Sequence, residues 1–228
     1  MAIKTKVYPA IDRLLHESKL LAHARLADST KAALSDQNNL AWSELKKLLH
    51  SNPTDLVELI SQTLPIRQSV YWGLLCGQAC PGFGQVGPAA ETVQATLRWA
   101  LRPSEETRKP CVTLAEGLPW ISPEGLLARA VAWSEGSIMP PHIPVFVPAP
   151  SGVTGQFVAG AILTLAATIE VVNYNHILHQ FISIAEDIAC ERLLPAGWHL
   201  DQLAGQHAFN PVQPSKFNTF PGIGDRFF

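Results

Sequence analysis

The fold class of this chain is decided by residues 51–75, which read SNPTDLVELISQTLPIRQSVYWGLL. Asn52 suits the N-cap of a helix, Pro53 suits the first helical position, and Asp55 places a carboxylate near the positive end of the helix dipole. We therefore expect a helix from Pro53 to about Leu64. A second helix should follow Pro65, and because apolar residues cover almost its whole circumference, we expect it to be central and buried.

Helix-start signals of the same kind recur at Pro88, Ser104, Ser122 and Thr154, and a last helix should run from His176 toward Leu194. Pro110 falls inside the helix that Ser104 begins, and it should kink or split that helix. Helical segments of this size with short breaks between them are typical of antiparallel hairpins. We therefore predict an all-α fold, a single compact bundle of antiparallel helix hairpins with a proline-rich extended strap and an irregular C-terminal tail.

Length and composition limit the classes of partner. The chain has 228 residues, 47% of them hydrophobic, and a formal net charge of -2. It holds no cluster of basic residues that would neutralise phosphates, so we predict no nucleic-acid partner. The longest apolar run, residues 157–172, contains Glu170 and is shorter than the ~20 residues that span a bilayer, so we predict no membrane span. The first residues hold no uninterrupted apolar run with a cleavage site, and we expect a cytoplasmic protein.

Three regions follow from the distribution of apolar residues. We predict an N-terminal helical arm over residues 1–51, a core helical domain over residues 52–196 and an extended tail over residues 197–228. The tail is too poor in periodic apolar positions to fold alone. It is rich in phenylalanine, and we predict that it binds a partner or docks on its own domain through Phe217, Phe220, Phe227 and Phe228.

The strap is the segment of residues 139–150, MPPHIPVFVPAP, which holds five prolines. Proline is excluded from helix interiors and favours extended backbone. We expect the apolar residues of the strap to be buried, namely Ile143, Val145, Phe146 and Val147. Together with Trp120 and Trp133, the strap is predicted to wall a groove that accepts an extended peptide; the alternative is that these side chains serve only intramolecular packing.

A glycine motif lies at residues 82–87, GFGQVG, and matches the G-x-G-x-x-G pattern of dinucleotide-binding enzymes. That pattern requires a strand before it and a helix whose N-terminal amides meet the pyrophosphate. The preceding residues here predict a helix, and Pro81 and Pro88 bracket the motif. We therefore interpret it as a turn between two helices, and we predict no cofactor.

Two further groups of residues are candidates for metal binding. The first comprises Cys76, Cys80, Cys111 and Cys190, whose spacing lacks the short paired loops of structural zinc sites, so packed thiols explain them better. The second comprises His176 and His179 on one helix face, with Glu170 before and Glu186 and Asp187 after. The metalloprotease spacing of two histidines is absent. We predict no metal site.

No catalytic residue is predicted, because the chain has no G-x-S-x-G nucleophile motif and the serines nearest to glycines, Ser134, Ser137 and Ser151, lack a histidine or acid at motif spacing. A metal-dependent or small-molecule enzyme stays open as an alternative. It would use His176, His179 and Glu186, or else Glu105 and Glu106.

Several stretches together resemble a bacterial family of unknown function, DUF6931. These are LPIRQSVYW at residues 64–72, PSEETR at 103–108, AWSEGS at 132–137, the strap, and VAGAIL at 158–163. The resemblance covers about residues 52–194. It implies a uniformly helical domain and an association with type VI secretion, and it brings no catalytic residues. The chain departs from the family pattern in the 82–87 insertion, at Pro110 and in the tail.

The function predicted on these grounds is a non-catalytic protein-interaction factor. An adaptor, chaperone or accessory protein of a bacterial secretion (type VI-like) or effector system is expected, with an effector or secretion component as its partner. An immunity protein that neutralises a toxin is a further alternative, although the near-neutral charge does not favour it. The sequence does not decide the oligomeric state.

Overall fold

The computed structural model describes residues 23–35, 41–135, 137–138, 145–169 and 172–195. The helices of these residues are α1 (Asp28–Ser35), α2 (Trp42–Leu48), α3 (Pro53–Thr63), α4 (Ile66–Gln78), α5 (Gly87–Leu101), α6 (Glu105–Glu116), α7 (Pro123–Ala132), α8 (Val153–Ile169) and α9 (Tyr174–Ala189). The described ranges contain no β-strand, only one isolated antiparallel bridge between Ser137 and Pro148. The predicted all-α fold is confirmed.

Helix α8 lies at the centre of the packing and contacts α3, α4, α7 and α9. Its buried face is built from small and branched residues, among them Val158, Ala159, Ala161 and Ile162. Small residues let neighbouring helix backbones approach closely, which suits a helix surrounded by others. α8 spans 17 residues, and no helix in the described part of the chain is long and apolar enough to cross a bilayer.

Helix α4 is buried along most of its length, as the sequence predicts. The indole Nε1 of Trp72 donates a hydrogen bond of 2.8 Å to the carbonyl oxygen of Phe181 in α9, and both side chains are buried. Gly73 stands against α7, where an added Cβ would lie 2.4 Å from a methyl carbon of Leu127. The burial of the two large aromatic side chains joins α4 to α9. The close approach at Gly73 joins α4 to α7.

The predicted helix starts are confirmed at two serines. Ser104 and Ser122 each accept a hydrogen bond of 3.2 Å through the side-chain oxygen, from the backbone N–H of Thr107 and Gly125 respectively. Asn52 occupies the N-cap position of α3, but its side-chain amide donates instead to the Asp55 carboxylate at 2.8 Å.

The prediction that Thr154 caps α8 is wrong. The helix begins one residue earlier, at Val153, and the Thr154 hydroxyl donates to the carbonyl oxygen of Trp133 at 3.4 Å. The hydroxyl therefore links α8 to the end of α7 rather than satisfying its own helix.

Pro110 does not split α6, which runs unbroken from Glu105 to Glu116. A proline removes one intrahelical hydrogen bond, and the packing of its neighbours offsets that loss. Arg108 and Cys111 on either side of Pro110 are buried. The predicted split is wrong because tertiary packing outweighs the local preference, and the predicted kink stays a prediction.

Two buried arginines cap each other's helices at the C-terminal end. Arg108 of α6 donates through Nη1 to the carbonyl oxygen of Ala132, the last residue of α7. Arg129 of α7 donates through Nη2 to the carbonyl oxygens of Ala115 at 2.7 Å and Leu118 at 3.3 Å, at the end of α6. Helix C-termini leave carbonyl groups without intrahelical donors. The reciprocal pair satisfies them and locks α6 against α7.

Helix α2 belongs to the same core as the later helices. Trp42, Leu45 and Leu49 are buried in the continuous hydrophobic cluster that also contains α3, α4, α8 and α9 residues. Packing therefore runs across Ser51. The predicted division between residues 51 and 52 stays a prediction, and the tail of residues 197–228 lies outside the described residues.

Candidate functional site

An exposed apolar pair occupies the turn between α6 and α7. Trp120 is 61% exposed and the adjacent Ile121 is 74% exposed. Single exposed apolar side chains are ordinary, whereas contiguous exposed apolar patches are typical of interaction sites. The sequence prediction selected Trp120 and missed Ile121, because no periodic pattern distinguishes a turn residue from a buried one.

Phe157 of α8 brings the two predicted tryptophans together. Its ring centroid lies 6.3 Å from that of Trp120 and 5.1 Å from that of Trp133, and both contacts are edge-to-face with interplanar angles of 69° and 79°. Edge-to-face contacts are favoured by the charge distribution of aromatic rings. We call Trp120, Ile121, Trp133 and Phe157 the aromatic surface. The sequence analysis placed Phe157 in an apolar run but did not connect it with the tryptophans.

Arg129 contacts both the ring and the backbone of Trp120 in the aromatic surface. Its guanidinium carbon lies 4.3 Å from the centroid of the Trp120 ring, within the range of a cation–π contact. The same group donates to the carbonyl oxygen of Trp120 at 3.4 Å and caps α6, so one side chain fixes both the backbone and the ring of Trp120. Burial lowers the pKa of Arg129. The indole is therefore exposed yet fixed in position.

The described part of the strap, residues 145–150, is held by main-chain bonds to the segment that follows Trp133. Ile138 N–H donates to the Val147 carbonyl oxygen at 2.9 Å, and Val147 N–H donates to the Ser137 hydroxyl at 3.1 Å. Val145 and Phe146 are exposed, so their predicted burial is wrong. Hydrogen bonds of the backbone anchor the strap to residues 137 and 138, and the side chains of Val145 and Phe146 are exposed.

The remaining predicted partner-binding residues are Phe217, Phe220, Phe227 and Phe228, and they lie outside the described residues. The same holds for Ile143 of the strap and for Glu170.

Glu186, one of the candidate metal or catalytic residues, is bound by hydrogen bonds from α2. It is buried and accepts hydrogen bonds from the indole Nε1 of Trp42 at 2.8 Å and from the Nζ of Lys46 at 2.7 Å. Burying a carboxylate costs free energy, and hydrogen bonds with a charged partner offset that cost. Glu186 therefore ties α9 to α2.

The two histidines of the same candidate site form other contacts. His179 stacks on His50 with 4.7 Å between ring centroids, and its Nε2 lies 3.1 Å from the His50 carbonyl oxygen. Burial, together with the nearby His50, lowers the pKa of His179. His176 Nε2 lies 3.1 Å from the side-chain nitrogen of Gln180. Within the described ranges, no three His, Cys, Asp or Glu side chains are grouped to hold a metal ion.

Glu105, the other acidic candidate, forms an ion pair with Arg108 at 2.6 Å and 2.9 Å from two guanidinium nitrogens. These hydrogen bonds lower the pKa of the Glu105 carboxyl. Glu105 thereby orients the arginine that caps α7, and Glu106 is exposed beside it.

The glycine motif forms a turn between α4 and α5, as predicted. Gly82, Gly84 and Gly87 have φ angles of 80°, 59° and 57°, in the left-handed region that glycine adopts without a steric cost. The Gly84 N–H donates to the Glu124 carboxylate at 3.1 Å. A helix, not a strand, precedes the motif, and one of its amides binds a side chain of α7.

All four cysteines are free thiols, as the composition predicts. Cys76, Cys80 and Cys111 are buried, and burial raises the pKa of Cys80 to about 12 and that of Cys111 to about 11. Such thiols are protonated and unreactive at neutral pH. Cys190 is partly exposed at the end of α9.

Comparisons with known proteins bear on the family alone. The model of a family of unknown function, DUF6931, matches residues 45–189, which is more than half of the 228 residues. In comparisons with curated proteins and with solved structures, the chain matches none. The matched range begins inside α2, whose Leu45 is buried in the core, and it ends with α9. The chain therefore belongs to DUF6931, a family of unknown function.

Proposed function

We propose that this protein is a non-catalytic interaction factor that binds another protein through the aromatic surface. The observation that carries the proposal is the pair of neighbouring exposed residues, Trp120 and Ile121, held in place by Arg129 and Phe157. Tryptophan dominates the binding energy of many protein interfaces. A side chain already fixed before binding loses little conformational entropy when a partner covers it.

The shape and chemistry of the surface favour an extended apolar segment as the bound part of the partner. The aromatic surface is apolar, and the strap, which is bonded to residues 137 and 138, carries the exposed side chains of Val145 and Phe146. Aromatic-lined surfaces of this kind accept extended or proline-rich peptides. The phenylalanines of the tail provide a second contact element in the same proposal.

The cellular role that we propose is that of an adaptor, chaperone or accessory protein of a bacterial secretion (type VI-like) or effector system. The association with type VI secretion comes only from the resemblance given in the sequence analysis, since the family itself is of unknown function. The enzyme alternative has weaker support, because Glu186 binds Trp42 and Lys46 while His179 stacks on His50. The immunity-protein alternative would use the same aromatic surface against a toxin.

The test compares two exposed apolar residues in turns, Ile121 between α6 and α7 and Val172 between α8 and α9. Ile121→Asp and Val172→Asp chains are used as bait in the source cell, with crosslinking and mass spectrometry. We expect the wild type and Val172→Asp to recover the same stoichiometric partner, and Ile121→Asp to recover at least ten-fold less. Equal recovery by both variants, or no stoichiometric partner for any chain, would contradict the proposal.

The contribution of the tail is measured in the same assay with a chain whose Phe217, Phe220, Phe227 and Phe228 are replaced by serine. A reduced recovery of the same partner is expected if the tail contacts it. Unchanged recovery would confine the interaction to the aromatic surface.

A further inference from the structure

Residues 23–27, HARLA, lie against α3 and the start of α8 without forming helix or strand. Ala24 and Leu26 are buried, whereas Arg25 and Ala27 are exposed. Alternate burial of this kind is typical of extended backbone, whose successive side chains point in opposite directions. The backbone turns at His23 and bends at Ala24, and residues 25–27 follow without a turn or bend. We call the space between α3 and the start of α8 that this segment fills the groove.

Two buried carboxylates of α3 bind the main chain of this segment. Asp55 accepts the N–H of Ala27 at 3.2 Å and 3.3 Å, and Glu58 accepts the N–H of Arg25 at 3.3 Å. The two acids are only 3% and 6% exposed. Every residue except proline has a backbone N–H, so this pair of carboxylates recognises an extended backbone at alternate residues. Side-chain selection comes from the burial of Ala24 and Leu26.

The opposite wall belongs to the start of α8. The Gln156 side chain donates to the His23 carbonyl oxygen at 3.2 Å and accepts from the Arg25 guanidinium at 2.9 Å. Gly152 has a φ angle of 77°, and an added Cβ there would lie 2.5 Å from the Cβ of His23. Gln62 donates to the Gly152 carbonyl oxygen at 2.9 Å and holds this wall against α3.

The groove and its occupant differ in their relation to the family. The residues of both walls, Asp55 to Gln156, lie inside the range of residues 45–189 that the family model matches, whereas residues 23–27 lie outside it. The residues of both walls thus lie within the matched range, and the segment that they hold lies before it.

We propose that the groove between α3 and the start of α8 is a binding site for an extended peptide of a partner protein, and that residues 23–27 occupy it in cis. The peptide that fits has a small residue, a basic residue and a leucine in succession, because those are the chemistries of Ala24, Arg25 and Leu26 in the groove. This site is separate from the aromatic surface and does not depend on its role. A tethered segment has a high effective concentration, so a partner peptide binds strongly only when the cis segment is weakened.

The test uses the full chain with Leu26→Asp, which places a carboxylate next to Asp55 and Glu58 and so expels the cis segment. The probe is a fluorescein-labelled peptide of residues 21–29, LAHARLADS, and binding is followed by fluorescence anisotropy. We expect saturable binding to Leu26→Asp that is at least ten-fold tighter than binding to the wild type. A peptide with Ala27→Pro lacks the N–H that Asp55 accepts and should bind at least ten-fold more weakly, although proline favours the extended backbone.

Three results would overturn the proposal. A folded Leu26→Asp chain that does not bind the peptide shows that the groove is not a site, and equal binding of the Ala27→Pro peptide shows that the main chain is not recognised. Concentration-dependent dimerisation of the wild type in light scattering, reversed by the peptide, would show that a second copy is the occupant rather than a partner protein.

If Leu26→Asp does not fold, hydrogen exchange on the wild-type chain decides the question. We expect the amides of Arg25 and Ala27 to exchange at least 100-fold faster than the amides of α8, because a displaceable segment opens without global unfolding. Equal protection of the two regions would mean that residues 23–27 are an inseparable part of the core, and the proposal would fail.

Discussion

Trp72 and Trp120 show two opposite uses of the same residue type. The Trp72 indole is buried between helices and donates to the Phe181 carbonyl oxygen, whereas the Trp120 indole is 61% exposed and is held by Arg129 and Phe157. One ring stabilises the domain, and the other presents apolar area to the solvent. The contrast teaches that a fixed side chain need not be a buried one, and that the six tryptophans of the composition cannot be interpreted together.

The largest expected effect is on the free energy of unfolding when each of these two tryptophans is replaced by alanine. Trp72→Ala should lower the free energy of unfolding by about 3–5 kcal/mol, because it leaves a cavity in the core and removes the hydrogen bond to the Phe181 carbonyl oxygen. Trp120→Ala should lower it by less than about 1 kcal/mol, since most of that ring is exposed. Urea titrations followed by circular dichroism measure both. Similar losses for the two variants would show that the aromatic surface is a structural element.

A second prediction concerns Trp42, the buried tryptophan whose partner is charged. Trp42→Phe removes the hydrogen bond to the Glu186 carboxylate and should destabilise the fold by about 2 kcal/mol. Of the two donors described above, the buried carboxylate then keeps the Lys46 ammonium and loses the indole. In a Glu186→Gln background, the same substitution should cost about 1 kcal/mol less. A double-mutant cycle of urea titrations that gives no coupling would contradict this assignment.

A third prediction addresses how Trp120 is held. Arg129→Lys keeps the charge but loses the planar donor set that reaches the Ala115 and Trp120 carbonyl oxygens, and we expect a loss of about 1 kcal/mol. The Trp120 ring should also become more mobile. Time-resolved fluorescence anisotropy is measured with and without Arg129→Lys, each time for the chain that has Trp120 and for its Trp120→Phe variant. The difference within each pair gives the Trp120 signal. An unchanged Trp120 anisotropy decay would show that Phe157 alone fixes the ring.

The smallest effect is expected at Glu58, in the groove beside α3. Burial raises its pKa above the ordinary value of 4.5, so the native state binds this proton more tightly than the unfolded chain does. As pH falls from 7 through the raised pKa toward 4.5, the wild type should therefore gain stability relative to Glu58→Gln. At pH 7 the variant should be equally stable or more stable by less than about 1 kcal/mol.

Glu105→Gln is the matched control for this pH series. The pKa of Glu105 is lowered by the hydrogen bonds from Arg108, so its contribution is present above the ordinary value and is lost as pH falls through the native pKa. Urea titrations at several pH values should give opposite slopes for the two variants relative to the wild type. Slopes of the same sign would contradict the assigned causes.

The helical fold was predictable because its signals are local. Asn52, Pro53, Ser104 and Ser122 mark helix starts within a few residues, and the structure begins helices at the expected places. The errors at Pro110 and Thr154 share one cause, which is that contacts from other helices decided the outcome. The same cause separates the predicted histidine and glutamate site, since Glu186 binds α2.

The candidate site was predictable only in part. Trp120 and Trp133 were selected by residue type, and the structure places both against Phe157. Ile121 and Arg129 were missed, because neither exposure in a turn nor an arginine that reaches carbonyl groups of another helix leaves a pattern in the sequence. The role of Asp55 was also predicted incompletely. It stands near the start of α3 as expected, but it also binds the main chain of Ala27, 28 residues earlier.

By itself, the sequence determined the helical class, most of the helix starts, the turn at residues 82–87 and the family, because each depends on residues close together in the chain. Only the tertiary structure decided which tryptophans are exposed, which carboxylates bind main-chain groups and what fills the groove beside α3. Those outcomes depend on side chains from distant parts of the chain that compete for the same space and the same hydrogen-bond partners, and a linear pattern does not record that competition.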